Sequence, residues 1–188
     1  YNRAIEIDPY YADAHANLAT AELALENITL ALKAAERALA LEPAMAEAAW
    51  TRSLALLLAG DYKRGWAEYE WRWAAVPFLE KRQFDGAEWN GEPVADKTVL
   101  IHHEQGLGDG LQFVRYGALL AEAGARVVLE CPSSLAPLFK KISWLNTVVP
   151  LGNILPSVDL HVALMSLPDK FGTTLETVPA TVPYLPLP

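Results

Sequence analysis

Between residues 12 and 43, in ADAHANLATAELALENITLALKAAERALALEP, small and apolar side chains recur at helical spacing in two blocks, Ala14 to Leu25 and Thr29 to Leu41. Positions three and four apart share one face of a helix, so this pattern predicts two antiparallel helices joined by a short turn. The helical period stops at Pro77. FDGAEWNGEPVADK (84–97) then carries Asp-Gly and Asn-Gly pairs and a proline, and reads as a linker in which Trp89 anchors the chain against a neighbour. From residue 98 the pattern changes again. TVLIHHE reads as a strand, 110–124 as a helix ended by Gly124, ARVVLEC as a strand, SSLAPLFKKI as a short helix, and NTVVPL and VDLHVALMS as strands. Strands alternating with helices predict parallel pairing with right-handed crossovers. Ligands of such sheets bind outside the carboxyl ends of the strands, where 102–110 would lie. The expected fold is therefore α followed by α/β, with helical repeats over 1–77, a linker over 78–97 and a Rossmann-like lobe over 98–188.

The first part repeats itself. Pro9, Pro43 and Pro77 are 34 positions apart, and Ala4 with Ala38, Ile5 with Leu39, Ile7 with Leu41 and Asp8 with Glu42 keep the same step. The segment resembles the tetratricopeptide repeat, whose leucine, small residue, two alanines and closing proline fall on Leu18, Ala19, Ala31, Ala38 and Pro43. That resemblance implies stacked helical pairs whose first helices line a concave groove, with Asn17, Thr20, Trp50 and Thr51 facing it and a protein or peptide as the partner held there. The plainer reading of those four side chains is simple solvation. The third unit departs from the pattern: Arg52 replaces the leucine, Gly65 and Arg72 the alanines, and GWAEYEWRW (65–73) adds aromatic bulk. Trp66, Tyr69 and Trp73 are expected to pack on the following domain, the alternative being that they stack on a sugar ring or a peptide. Residues 1–9 align only with the second half of a repeat, so further repeats are expected before them.

Composition narrows the function classes. A net charge of −8 with scattered Lys and Arg offers no basic face to a nucleic acid or an anionic membrane. The longest apolar run near a helix, LALLLA (54–59), is far short of the ~20 residues a membrane span needs. Cys131 is the only cysteine and the four histidines are dispersed, so neither a disulfide nor a metal-ligand cluster is expected. No cofactor is expected, and a reducing compartment, the cytoplasm, fits.

The chemistry concentrates in IHHEQGLGDGLQF (101–113). A glycine-rich turn between a strand and a helix usually receives a phosphate, yet this one carries Asp109. The dinucleotide fingerprint counted from Gly106 requires a third glycine at 111, which is Leu111; only Glu130, near the end of the second strand, suits a ribose. Asp109 is expected either as a helix N-cap or as a general base, with glycines around it so that a substrate hydroxyl can approach. By alternation His102 and Glu104 lie on one side of the first strand and His103 on the other, so one histidine is expected to be buried or to face the linker. Gln112 and Arg115 share a helix face, and Arg115 is expected to bind an anion or to pair with Glu104 or Asp109. His161 reads as core, and Ser133 and Ser134 as helix caps.

GDYKRGWAEYEWRW, EWNGEP, HHEQGLGDGLQFVRY, ARVVLEC and FGTTLETVPA together resemble bacterial tetratricopeptide proteins fused to a glycosyltransferase domain similar to the heptosyltransferases. The resemblance implies the N-terminal, acceptor-side half of a GT-B fold. It makes Asp109 the base and sets His102, Glu104 and Gln105 beside the acceptor. Gly106, Gly108, Gln112 and Arg115 complete the expected acceptor side. Two positions depart from the family pattern: Gly110, where a β-branched or hydroxyl residue is usual, and His103, where alanine is. No second lobe follows Pro188, so the chain is expected to be a fragment. Its parent would join a nucleotide sugar to a glycan or protein acceptor, and the chain alone would lack the donor site. The competing expectation is a non-catalytic binding module whose α/β part is scaffold.

Overall fold

A computed structural model describes residues 1–185. The chain divides into two units: residues 1–81 together with 172–177, and residues 82–171 together with the chain from 178 onward.

The first unit is helical. Its elements are α1 (Asn2–Ile7), α2 (Ala12–Ala24), α3 (Ile28–Leu41), α4 (Ala46–Leu58), α5 (Tyr62–Tyr69) and α6 (Arg72–Ala75). The 34-residue step carries into the structure, since α2 and α4 begin at Ala12 and Ala46 and α3 and α5 at Ile28 and Tyr62. Alanines make the close packing possible: Ala19, Ala31, Ala35, Ala38 and Ala48 are fully buried, and side chains this small let helix backbones approach. The turn after α2 puts Glu26 at φ 61, and the corresponding turn after α4 puts Gly60 at φ 85. Each departure of the third unit has a local cause. A Cβ at Gly65 would lie 2.7 Å from Leu57 Cδ2, so only glycine fits. Arg52 pairs with Glu68 at 2.7 Å. Arg72, with no exposed side-chain surface, donates to Glu70 at 2.6 Å and stacks on the Trp73 ring. Trp66 meets Tyr69, which in turn meets Trp50 with ring centroids 4.7 Å apart, so these aromatics pack on one another. Residues 172–177 return to this unit, with Leu175 Cδ1 in van der Waals reach of Gly60.

The second unit is a parallel sheet with helices. Its order along the chain is β1 (Ala87–Glu88), β2 (Thr98–His102), α7 (Leu107–Phe113), a 3-10 turn (Val114–Tyr116), α8 (Gly117–Glu122), β3 (Arg126–Cys131), α9 (Ala136–Phe139), β4 (Thr147–Pro150), β5 (Leu160–Ala163), a second 3-10 turn (Leu164–Ser166) and α10 (Leu167–Lys170). All five strands are parallel, in the order β1-β5-β2-β3-β4. Val99, Leu100 and Ile101 are completely buried, as expected of a central parallel strand covered on both faces. One face carries Leu100, Val128 and Val149 under Phe84, Leu155 and Val158. The other lies under the helices, where Gly117 admits Ile101 and the Trp144 ring.

Three expectations are corrected. The helix after β2 begins at Leu107, not 110, because Gly108 and Gly110 are helical despite their poor propensity, and it breaks into a 3-10 turn before α8. The linker is not only turns: Ala87 and Glu88 pair with β5, and Trp89 is buried against Phe171 while its Nε1–H donates to the Glu92 carbonyl. The last strand stops at Ala163, and the apolar residues after it enter the 3-10 turn.

Candidate functional site

From β2 the chain moves to β3 and β4 on one side of the sheet, then returns to place β5 on the other side of β2. The order therefore reverses between β2 and β5, whose carboxyl ends lead into 103–106 and into the 3-10 turn Leu164–Ser166. Such a point is where open α/β sheets form a ligand crevice.

Side chains from the 101–113 stretch build this edge. Glu104 Oε1 accepts the Met165 N–H at 2.9 Å, tying the loop after β2 to the loop after β5. His103 Nε2–H donates to the Gln105 carbonyl at 2.6 Å. Asp109 Oδ2 accepts the Gly106 N–H at 2.9 Å. Asp109 is thus the third residue of α7 reaching back to the N-cap position, which Gly106 holds, and not itself the N-cap; a carboxylate there also matches the positive end of the helix. Around it Gly106, Leu107, Gly108 and Gln112 are exposed, and nothing lies within 4 Å of where a Gly108 Cβ would be.

Other expected site residues lie elsewhere. Both histidines are buried, not one: His102 lies on the sheet face under Phe84, ring centroids 4.6 Å apart, and His103 lies beside α7. His161, half-buried, shares the Phe84 contact. Arg115 turns neither to Glu104 nor to Asp109. Its Nε donates to the Gln112 carbonyl, its Nη1 to the Pro179 carbonyl at 3.1 Å, and its guanidinium stacks 4.0 Å over the Tyr184 ring. It lines a cleft of about 460 Å³ with Leu119, Lys141, Trp144 and Tyr184. In the helical unit, Asn17 and Thr20 are exposed, Trp50 is half-buried, and Thr51 is buried with its hydroxyl 3.2 Å from that of Thr20.

Glu130, which by sequence suits a ribose, has a partner that the sequence did not indicate. It is buried beside the edge and held by both terminal nitrogens of Arg82, at 2.5 and 2.9 Å, so its carboxylate is already engaged. The same pairing holds the Arg82 proton more firmly than usual. Burial pushes the Cys131 thiol up to about 11, with the Glu130 charge adding to the effect. Burial also holds the His103 imidazole below its ordinary value, against smaller opposing pulls from the Gln105 carbonyl, Asp109 and Glu130.

The fold and this edge define a chain with a unit of helical hairpins and a parallel α/β unit whose strand order reverses between β2 and β5. No family model matches it. Protein FlbA of Caulobacter vibrioides is 30% identical over 148 residues, which cover 75% of this chain and 25% of FlbA. The chain thus spans about a quarter of the curated relative it matches. Among solved structures, a mutant O-GlcNAc transferase of Thermobaculum terrenum is 12% identical and covers 81% of this chain and 37% of its own, with a TM-score of 0.37. A likeness that slight carries no argument about the site. No helix among the described residues is long and apolar enough to cross a membrane.

Proposed function

We propose that this chain supplies the acceptor side of a sugar-transfer site, with Asp109 as the general base, and that its helical hairpins hold a protein, either the acceptor or a carrier of it. The supporting observation is the position of Asp109: it follows β2 where the sheet order reverses, one carboxylate oxygen is fixed by the Gly106 N–H, and the neighbouring Gly108 leaves open space. With Oδ2 held, Oδ1 can take a proton from a hydroxyl that the bare backbone allows to come close. Gln105, Gly106, Gly108 and Gln112 would border that hydroxyl. Glu104 and His103 would hold the loop, and the groove at Asn17, Thr20, Trp50 and Thr51 would seat the protein. A nucleotide sugar would be the donor in the full-length gene product.

The bond from Gly106 also favours a second reading, in which Asp109 only closes the first helical turn and the α/β unit is scaffold for a binding module. Asparagine separates the two, because its side-chain oxygen still accepts the Gly106 N–H but takes no proton. In the full-length gene product, assayed with UDP-, GDP- and ADP-sugars, Asp109→Asn should leave the melting temperature unchanged and lower turnover by ~10²–10⁴. Retention of most of the activity would leave the carboxylate a helix cap.

A further inference from the structure

We propose that His103 and Gly110 are a matched pair that sets how closely α7 lies over the end of β2, and so positions Asp109; this rests on the reading of Asp109 as the base. The His103 ring is 6% exposed and its Nε2–H closes a short loop onto the Gln105 carbonyl. Directly against it stands the backbone of Gly110. A Cβ at Gly110 would lie 3.3 Å from His103 Cε1 and 2.9 Å from Leu135 Cδ1. Leu135 Cδ1 is the end of a flexible side chain and can turn aside, whereas the imidazole is held by its bond to the Gln105 carbonyl, so the ring is the fixed neighbour that a side chain at 110 would press on.

Glycine is among the poorest residues for a helix interior. Its presence at 110, in the middle of α7, is explained by this close approach. Asp109 is the adjacent residue, and its carboxylate is fixed to the loop that His103 closes. The base is thus held by the Gly106 N–H, and the residue after it faces the imidazole. Lifting α7 by a few tenths of an ångström moves the carboxylate relative to the crevice, and misplacement of about 1 Å is enough to cost ~10²-fold in rate. The two positions are complementary in this chain: bulk stands at 103 where 110 has none.

The test is a double-mutant cycle in the full-length gene product, with Gly110→Ala, His103→Ala and the two combined, read as kcat, KM and melting temperature. Gly110→Ala alone should lower kcat about tenfold or more with KM little changed, whereas on the His103→Ala background, where the ring it would push is gone, it should cost less than about threefold. His103→Gln keeps a donor for the Gln105 carbonyl and should retain more activity than His103→Ala, which guards against a variant that does not fold. Independent effects on both kcat and melting temperature would overturn the pairing. Coupling in melting temperature without coupling in kcat would overturn the positioning role. Full activity of Asp109→Asn would instead count against the base assignment, and the melting-temperature cycle would still decide the pairing.

Discussion

Replacing Arg82 by alanine tests whether the α/β unit depends on a charge brought from 48 residues away. Glu130 is 1% exposed at its side chain and both its oxygens are bonded to Arg82. Removing one partner of a buried pair typically costs ~3–5 kcal/mol, because the remaining charge stays desolvated. The Arg82 side chain is 42% exposed, so water can reach the vacated side and screen part of that penalty. We therefore expect the lower end, about 3 kcal/mol, a large part of the ~5–15 kcal/mol that holds a typical domain together. Hydrogen exchange at the β2 and β3 amides measures this unit by itself, and their protection should fall by ~10²-fold, since 1.4 kcal/mol is a factor of ten. Arg82→Leu with Glu130→Leu, which removes both charges, should restore most of the protection, as apolar replacements of buried pairs often do. A loss below about 1 kcal/mol in Arg82→Ala, or no recovery in the double variant, would refute the reasoning.

Two further outcomes follow from the backbone and from a buried base. Glu26 holds a left-handed conformation that costs a side-chain-bearing residue ~1–2 kcal/mol, so Glu26→Gly should stabilise the helical unit by ~0.5–1 kcal/mol after the added chain entropy of glycine; unchanged or lower stability in urea unfolding would count against it. Since burial lowers the folded pKa of His103, the unfolded chain binds more protons than the native one between that value and the ordinary ~6.5. Stability of the α/β unit should therefore be full above pH ~6.5 and be lost as pH falls through the lowered value, and His103→Gln should flatten that slope.

The two helices between 12 and 41 were legible because alanine and leucine spacing is local: the blocks Ala14 to Leu25 and Thr29 to Leu41 fall on α2 and α3, which begin at Ala12 and Ile28. The start of α7 was not. Three glycines between 106 and 110 read as loop, yet only Gly106 stays extended, as the N-cap, while Gly108 and Gly110 are helical, the latter lying close to His103 and Leu135. β1 was hidden for a similar reason, since two residues within a turn-rich stretch become a strand only by pairing with β5, more than seventy residues later. At the site, the passage of 101–113 from a strand through a glycine-rich turn into a helix could be read from residue types alone. The roles of its neighbours could not. Glu104 looks like a substrate ligand in sequence and is a clasp to Met165 in space, and Arg115, which donates to the Gln112 carbonyl, spends the rest of its guanidinium on Pro179 and Tyr184. Glu130 could be read as a ribose acid only because its partner Arg82 lies in a segment with no pattern of its own.

The return of residues 172–177 to the helical unit has a consequence for synthesis. Those six residues leave the ribosome after the whole sheet, β1 to β5, has been made. The helical hairpins can form early from local contacts, but Leu175 reaches Gly60 only after the intervening ninety or so residues have been threaded through a different unit. Translation order and unit order therefore differ in this chain: the part begun first is completed only after the whole sheet of the second has been made, and a nascent chain stalled within the sheet would present hairpins still lacking their final segment.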